Sequence, residues 1–213
     1  MGVVRDMKGD LTMLRYVRLF SVLVVIFGFS GSAWGQNFSD VIIFGDSLSD
    51  SGNVGSLRPL PSGSSFTTNP DPVWSKIVAE TFGALGMNSL ARGSNYAFAG
   101  ACMNPDTPCD IDEVPTVTEQ IEQYFFTSDG QTDPNALYVI WGGVNDVADS
   151  AGADPLNAGR HTLAAAGVNV AQIRRLQDAG ARQIVVYNLP DISKSPYATN
   201  LGPLVQGLSL IHI

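Results

Sequence analysis

Histidine is nearly absent from this chain of 213 residues: His161 and His212 are the two it has. Cysteine is as scarce, with Cys102 and Cys109 alone. No histidine or further cysteine stands near that pair, so a zinc-type ligand set has no support and no metal is expected. Basic residues are few as well, twelve against twenty acids, for a formal net charge of −8. Residues 1–35 hold four of the basic groups and two of the acids, which leaves eight against eighteen, or −10, for the remainder. A surface of that sign repels phosphate backbones, and no basic run argues otherwise, so nucleic acid is not an expected partner. A long apolar run is also lacking. The longest candidate, residues 19–29, would span about 16 Å as a helix, short of the roughly 30 Å of a bilayer core.

That short run has a different reading. Arg15 and Arg18 precede it, and Gly31, Ser32, Ala33 and Gly35 follow with small side chains. This is the pattern of a cleaved secretory signal, cut after Gly35 or, alternatively, after Ala33. Met13 is then a plausible true start. Residues 1–35 are assigned to a signal-peptide region and 36–213 to one domain, large enough for its own core. Export leaves periplasm, cell surface and medium open. In an oxidising compartment a local Cys102–Cys109 bridge is reasonable and would stabilise by about 2.5 kcal/mol in the chain-entropy model.

The domain alternates strand and helix patterns, as a parallel α/β sheet does. Val41-Ile42-Ile43-Phe44, Leu137-Tyr138-Val139-Ile140-Trp141 and Ile184-Val185-Val186-Tyr187 are continuous apolar runs of buried strands. Residues 95–99 read as a fourth, shorter strand. Asp71 and Pro72 are expected to open a helix with Val73, Trp74, Ile77, Val78 and Phe82 as its apolar stripe. Thr116-Val117-Thr118-Glu119 reads as a capping box ahead of Val117, Ile121, Tyr124 and Phe125. Leu163, Ala166, Val170, Ile173 and Leu176 mark a longer helix stopped by Gly180. Residues 58–72 form a Pro/Ser/Thr-rich loop, and 197–213 show no clear element.

Three strands end in small or polar residues, at the edge where open α/β sheets bind ligands. Ser47 follows the first strand directly, where Gly45 permits a sharp turn. A serine there could merely cap a helix, but its hydroxyl and N–H would both face the crevice. Gly100 could be a plain turn residue, or could bring its N–H close to a reacting carbonyl. Asn145, in a Gly-rich turn, could serve the turn or donate its side-chain amide to an oxyanion. Trp74 and Trp141 read as core.

The order of these segments is more specific than any one of them. Phe44-Gly45-Asp46-Ser47-Leu48-Ser49-Asp50-Ser51-Gly52-Asn53, then Gly93-Ser94-Asn95-Tyr96-Ala97-Phe98-Ala99-Gly100-Ala101, then Gly143-Val144-Asn145-Asp146 resemble, in that succession, the first three blocks of the GDSL branch of the SGNH hydrolases. Asn69-Pro70-Asp71-Pro72-Val73-Trp74 and Asn188-Leu189-Pro190-Asp191 also look familial. The resemblance runs from about residue 41 to 196. It implies a flavodoxin-like three-layer α/β/α sandwich with a mostly parallel sheet, hydrolysis of carboxylic esters, and no cofactor. Lipids, short acyl esters, thioesters and acetylated sugars are all substrates in such a family. Ser47 would be the nucleophile, and the N–H groups of Ser47 and Gly100 with the Asn145 amide would form the oxyanion hole.

One block is missing. The family closes on Asp-x-x-His, whereas Ala158 stands three residues before His161 and Ser209 three before His212. His161 reads as an ordinary polar-face residue of a helix. The sheet also counts four strands where the family has five, and residues 208–213 look unrelated to it. The chain is therefore expected to stop before its catalytic histidine, and in this form to turn over esters negligibly. A genuine stop codon after Ile213 would defeat the truncation, and turnover comparable with ordinary esterases would refute the expected inactivity. The alternative is a non-catalytic passenger domain that binds glycans or a partner, ahead of a membrane β-barrel in a longer protein. A phosphoryl-transfer site on Asp46 lacks a second aspartate at residue 48, and an α/β-hydrolase elbow lacks glycine at residue 49.

Overall fold

The computed structural model describes residues 37–57, 65, 70–103 and 113–195, and the account that follows concerns the unit of residues 38–213. The leader read at residues 13–35, most of the 58–72 loop, Cys109 and His212 lie outside the described residues.

Three strands, β1 (Val41–Gly45), β2 (Leu137–Trp141) and β3 (Gln183–Val186), pair in that order. Both ladders are parallel, in a register that puts Val41 beside Leu137 and Leu137 beside Gln183. The helices are α1 (Asn53–Leu57), α2 (Trp74–Thr81), α3 (Val117–Thr127), α4 (Val144–Ala153) and α5 (Ala158–Asp178). Successive strand residues point to opposite faces. Ile42, Phe44, Tyr138 and Ile140 pack with Val117, Ile121 and Tyr124 of α3 and Leu176 of α5. Val41, Ile43, Leu137 and Val139 pack on the other side with Ala79, Trp74 and Val78 of α2. Burial on both faces is why β1 and β2 read as unbroken apolar runs. The result is a three-layer α/β/α sandwich, as expected.

The capping box forms as read: the Thr116 hydroxyl accepts from Glu119 N–H, and the Glu119 carboxylate accepts from Thr116 N–H at 2.8 Å. Other local readings need correction. Residues 95–99 do not form a strand. Asn95 bridges to Ile43, and Tyr96 and Phe98 donate to the carbonyls of Ile43 and Gly45. The side chain of Asn53, however, takes the carbonyls of Asn95 and Ala97, both at 2.9 Å. Asn95 O also accepts from Ser89 N–H at 2.7 Å, and a single bridge to Asn88 stands on that side in place of a ladder. Helix α2 begins at Trp74, with Val73 and not Asp71 at its N-cap. Its buried positions are Ser75 and Ala79, and Ile77 is half exposed. The Ser75 hydroxyl donates to Ser49 O at 2.8 Å and accepts from the Asn95 amide at 3.0 Å, so a polar anchor sets the phase of this helix. In α5 the buried face is Ala158, Thr162, Ala165, Asn169, Gln172 and Leu176, while Leu163 and Val170 point outward. Leu176 is fully buried and Val168 and Ile173 pack partly against the core, so α5 seats on a mixed face of small, polar and apolar residues.

Candidate active site

Every residue of the site lies just past the carboxyl end of β1 or β2, or on the segment beside β1. Gly45 closes β1 under tight constraint. A Cβ there would stand 2.3 Å from the Trp141 carbonyl oxygen, so only glycine lets β1 and β2 approach this closely. The buried side chain of Gln120 on α3 clamps the same residue, accepting from Gly45 N–H and donating to Gly45 O, each at 2.9 Å. The chain then turns sharply. The Asp46 backbone carbonyl accepts from Ser49 and Asp50 N–H, and its side chain accepts from Leu48 N–H at 3.0 Å. The indole of Trp74 donates to Leu48 O at 2.8 Å and pins the far side of the turn. Trp74 itself stacks edge-on against Trp141, with ring centroids 5.5 Å apart, and against Tyr187, 5.2 Å apart. Both tryptophans are half-buried packing residues beside the site.

Ser47 sits at the apex, partly exposed. Neither its hydroxyl nor its N–H is hydrogen-bonded within the described residues. Gly100 is also partly exposed, with φ at +90°, a conformation glycine adopts at little cost. Its N–H has no partner among the described residues either. Asn145 does not lie in a turn, as its sequence neighbourhood indicated. It is the second residue of α4, which starts after Gly143 at φ +109°. Its side-chain amide donates to Ala101 O at 2.8 Å, next to Gly100. An amide nitrogen carries two protons, and one remains for a ligand.

Two buried carboxylates tie these pieces together. Asp50 accepts N–H groups from Gly52 at 2.8 Å, Asn53 at 2.7 Å and Val54 at 3.1 Å, and reaches across to Ala99 N–H at 2.9 Å. It thus joins the Ser47 turn, the start of α1 and the residue before Gly100. Asp146 accepts from Met103 N–H at 2.8 Å and joins α4 to the same segment. Asp50 and Asp146 stand in the blocks that carry the family resemblance, yet nothing in their spacing marks them as buried acceptors. Asp46 is a third buried acid. Burial pushes its carboxyl up to about 7, and the nearby charge of Asp146 adds to that, against the opposing pull of the Leu48 N–H. One of its oxygens is buried without a hydrogen-bond partner.

Cys102 is buried and disulfide-bonded, while Cys109 lies outside the described residues. His161 is half-buried on α5. Its Nε2 lies 3.3 Å from Asp154, the residue that ends α4. Asp154 is nine residues beyond Asn145, about 13 Å along the helix axis. No group of three or more His, Cys, Asp or Glu side chains among the described residues is arranged to hold a metal.

A parallel α/β sandwich with a serine at the first strand turn, a Gly100 loop and an asparagine opening a helix defines a class. The family model of the GDSL-like lipase/acylhydrolases matches residues 41–209, and the chain belongs to that family. It is 31% identical over 159 residues to Lipase 1 of Photorhabdus luminescens, covering 75% of this chain and 23% of that protein. It is 32% identical over 204 residues to Esterase EstA of Pseudomonas aeruginosa, covering 78% and 30%. The phosphatidylcholine-sterol acyltransferase of Aeromonas hydrophila is 26% identical over 178 residues, covering 76% and 47%. The chain therefore spans less than half the length of these relatives.

Proposed function

We propose that this chain is the nucleophile-bearing part of an exported serine esterase that cleaves carboxylic esters through an acyl-enzyme on Ser47. The observation that carries the reading is a set of donors without protein partners at one sheet edge. The N–H groups of Ser47 and Gly100 are unpaired among the described residues, and the Asn145 amide keeps a second proton beside them. Orphan donors at a partly exposed edge suit an oxyanion that forms during reaction. Ser47 Oγ would attack the ester carbonyl and the three donors would hold the resulting oxyanion. A histidine would take the serine proton and return it to the leaving alcohol. The Nε2 of His161 lies against Asp154 at the end of α4, and we assign the base to a segment outside the described residues. Export rests on the leader pattern at residues 13–35, and the substrate is a small-molecule or lipid ester with no cofactor.

The test is hydrolysis of a chromogenic short-chain ester. The 213-residue chain is expected to turn over negligibly, because a serine without a base is a poor nucleophile at neutral pH. The product of the longer reading frame is expected to hydrolyse it. There Ser47→Ala should cost at least about 10³-fold, and Asn145→Ala about 10²–10³-fold, in kcat. A longer product whose slow turnover is unchanged by Ser47→Ala would favour the non-catalytic, glycan- or partner-binding reading.

A further inference from the structure

A cavity of about 370 Å³ opens beside the site, between α4 and the segment after β3. Its apolar wall is Leu48, Val144, Ala148, Pro190 and Ile192, with Asn145, Asp149, Asp191 and Ser195 as polar groups. Leu48 and Asn145 belong both to this wall and to the site, since Leu48 is the residue after Ser47. A ligand whose carbonyl lies at the orphan donors therefore has the cavity as its continuation. The volume falls in the range of small-molecule sites.

The two carboxylates are not equivalent. Asp191 is paired with Lys194 at 3.1 Å, which offsets its charge. Asp149 lies four residues after Asn145, on the same face of α4 and about 6 Å further along the axis, roughly the reach of a five- or six-carbon chain. It is partly buried, and desolvation holds its carboxyl above the usual range. The wall so built offers apolar contact near the reacting centre and a negative charge at its far end.

Resting on the esterase reading above, we infer that this cavity takes the acyl chain of the ester, and that Asp149 makes it select uncharged chains over chains that end in a carboxylate. A like charge brought to Asp149 at a half-exposed wall is repelled, which is expected to cost about tenfold in affinity. Asp149 is thus a specificity-determining residue, acting by rejecting the wrong chain.

The experiment uses the Ser47→Ala form of the 213-residue chain, so that ligands bind without reacting. Methyl hexanoate and monomethyl adipate, matched in length and differing in the terminal carboxylate, are titrated at about pH 8, where carboxylates are charged. Amide NMR shifts are the readout. Methyl hexanoate is expected to shift the amides of Val144, Ala148 and Ile192 saturably, and monomethyl adipate to bind about tenfold more weakly. Asp149→Asn should shrink that gap to about threefold or less, and Asp149→Glu should keep it, with thermal unfolding showing that both variants fold. Equal binding of the two esters, shifts confined to another part of the chain, or a gap that survives Asp149→Asn would overturn the inference. Selective binding in the cavity, together with hydrolysis by the longer product that Ser47→Ala leaves unchanged, would sink the esterase reading alone and leave the cavity assignment supported.

Discussion

Asp46 stands one residue before Ser47, yet its role is opposite in kind: it is fully buried, and its carboxyl holds its proton up to about pH 7. A neutral acid beneath the crevice does not oppose the negative charge of an oxyanion, whereas an ionised one would. Its titration has a stability consequence with a definite sign. In the unfolded chain the carboxyl releases its proton near its ordinary value of 3.8, and in the folded chain at about 7. Between those values the folded state holds a proton that the unfolded state has lost, so raising pH favours unfolding. The contribution is complete below about 3.8, is lost as pH rises to about 7, and changes no further above that. Each pH unit in the window costs up to about 1.4 kcal/mol. Asp46→Asn, which keeps an oxygen for Leu48 N–H and carries no charge, should remove this slope. Urea unfolding at about pH 5 and about pH 8 should show the variant gaining on the wild type by about 2–3 kcal/mol at the higher value. An equal difference at both pH values would contradict the assignment.

At the scale of elements, the site depends on how closely two parallel strands meet at their carboxyl ends. Gly45 lies opposite Trp141 in the β1–β2 register, and its missing side chain is what admits the Trp141 carbonyl. Gly45→Ala forces a Cβ onto backbone atoms that cannot swing aside. The expected cost is about 1–3 kcal/mol, as for other overpacking changes, which for a domain of this size lowers Tm by about 2–12 °C. The same variant should weaken ester binding in the Ser47→Ala background, because the strand shift moves the turn that bears residue 47. Calorimetric scanning and the NMR titration read the two effects separately. Normal Tm with normal binding would show that β1 and β2 tolerate a wider spacing.

At the scale of the molecule, the sheet is unevenly covered. β1 and β2 are buried on both faces, but β3 is an edge among the described residues, and Val185, Val186 and Tyr187 are each about 40% exposed. An exposed apolar edge is a template for pairing with another chain. The 213-residue chain is expected to self-associate with rising concentration, and Val186→Lys to reduce this. Sedimentation velocity measures both, and a chain that stays monomeric at high concentration would contradict the expectation.

Much of this was legible in the residues themselves. Unbroken apolar runs announced β1 and β2 because a strand buried on both faces needs no polar alternation, and Thr116 with Glu119 announced the start of α3 because both capping partners are local. The block order around Ser47, Gly100 and Asn145 carried the family, since the glycines there follow from backbone geometry that few other residues allow and the Asn145 side chain ties α4 to the residue after Gly100. What the residues could not disclose were interactions made across the chain. The phase of α5, the polar seat of α2 on Ser49 and Asn95, and the diversion of residues 95–99 from strand to bridged segment all depend on partners 20 to 54 residues away. Periodicity counts apolar side chains and does not detect a buried Ser75 held by the distant Ser49 carbonyl and Asn95 amide, or a buried Gln172 that donates to the Thr118 hydroxyl. The proton on Asp46 and the placement of Asp149 along a cavity wall were decided only when packing removed water from one carboxyl and α4 aimed the other.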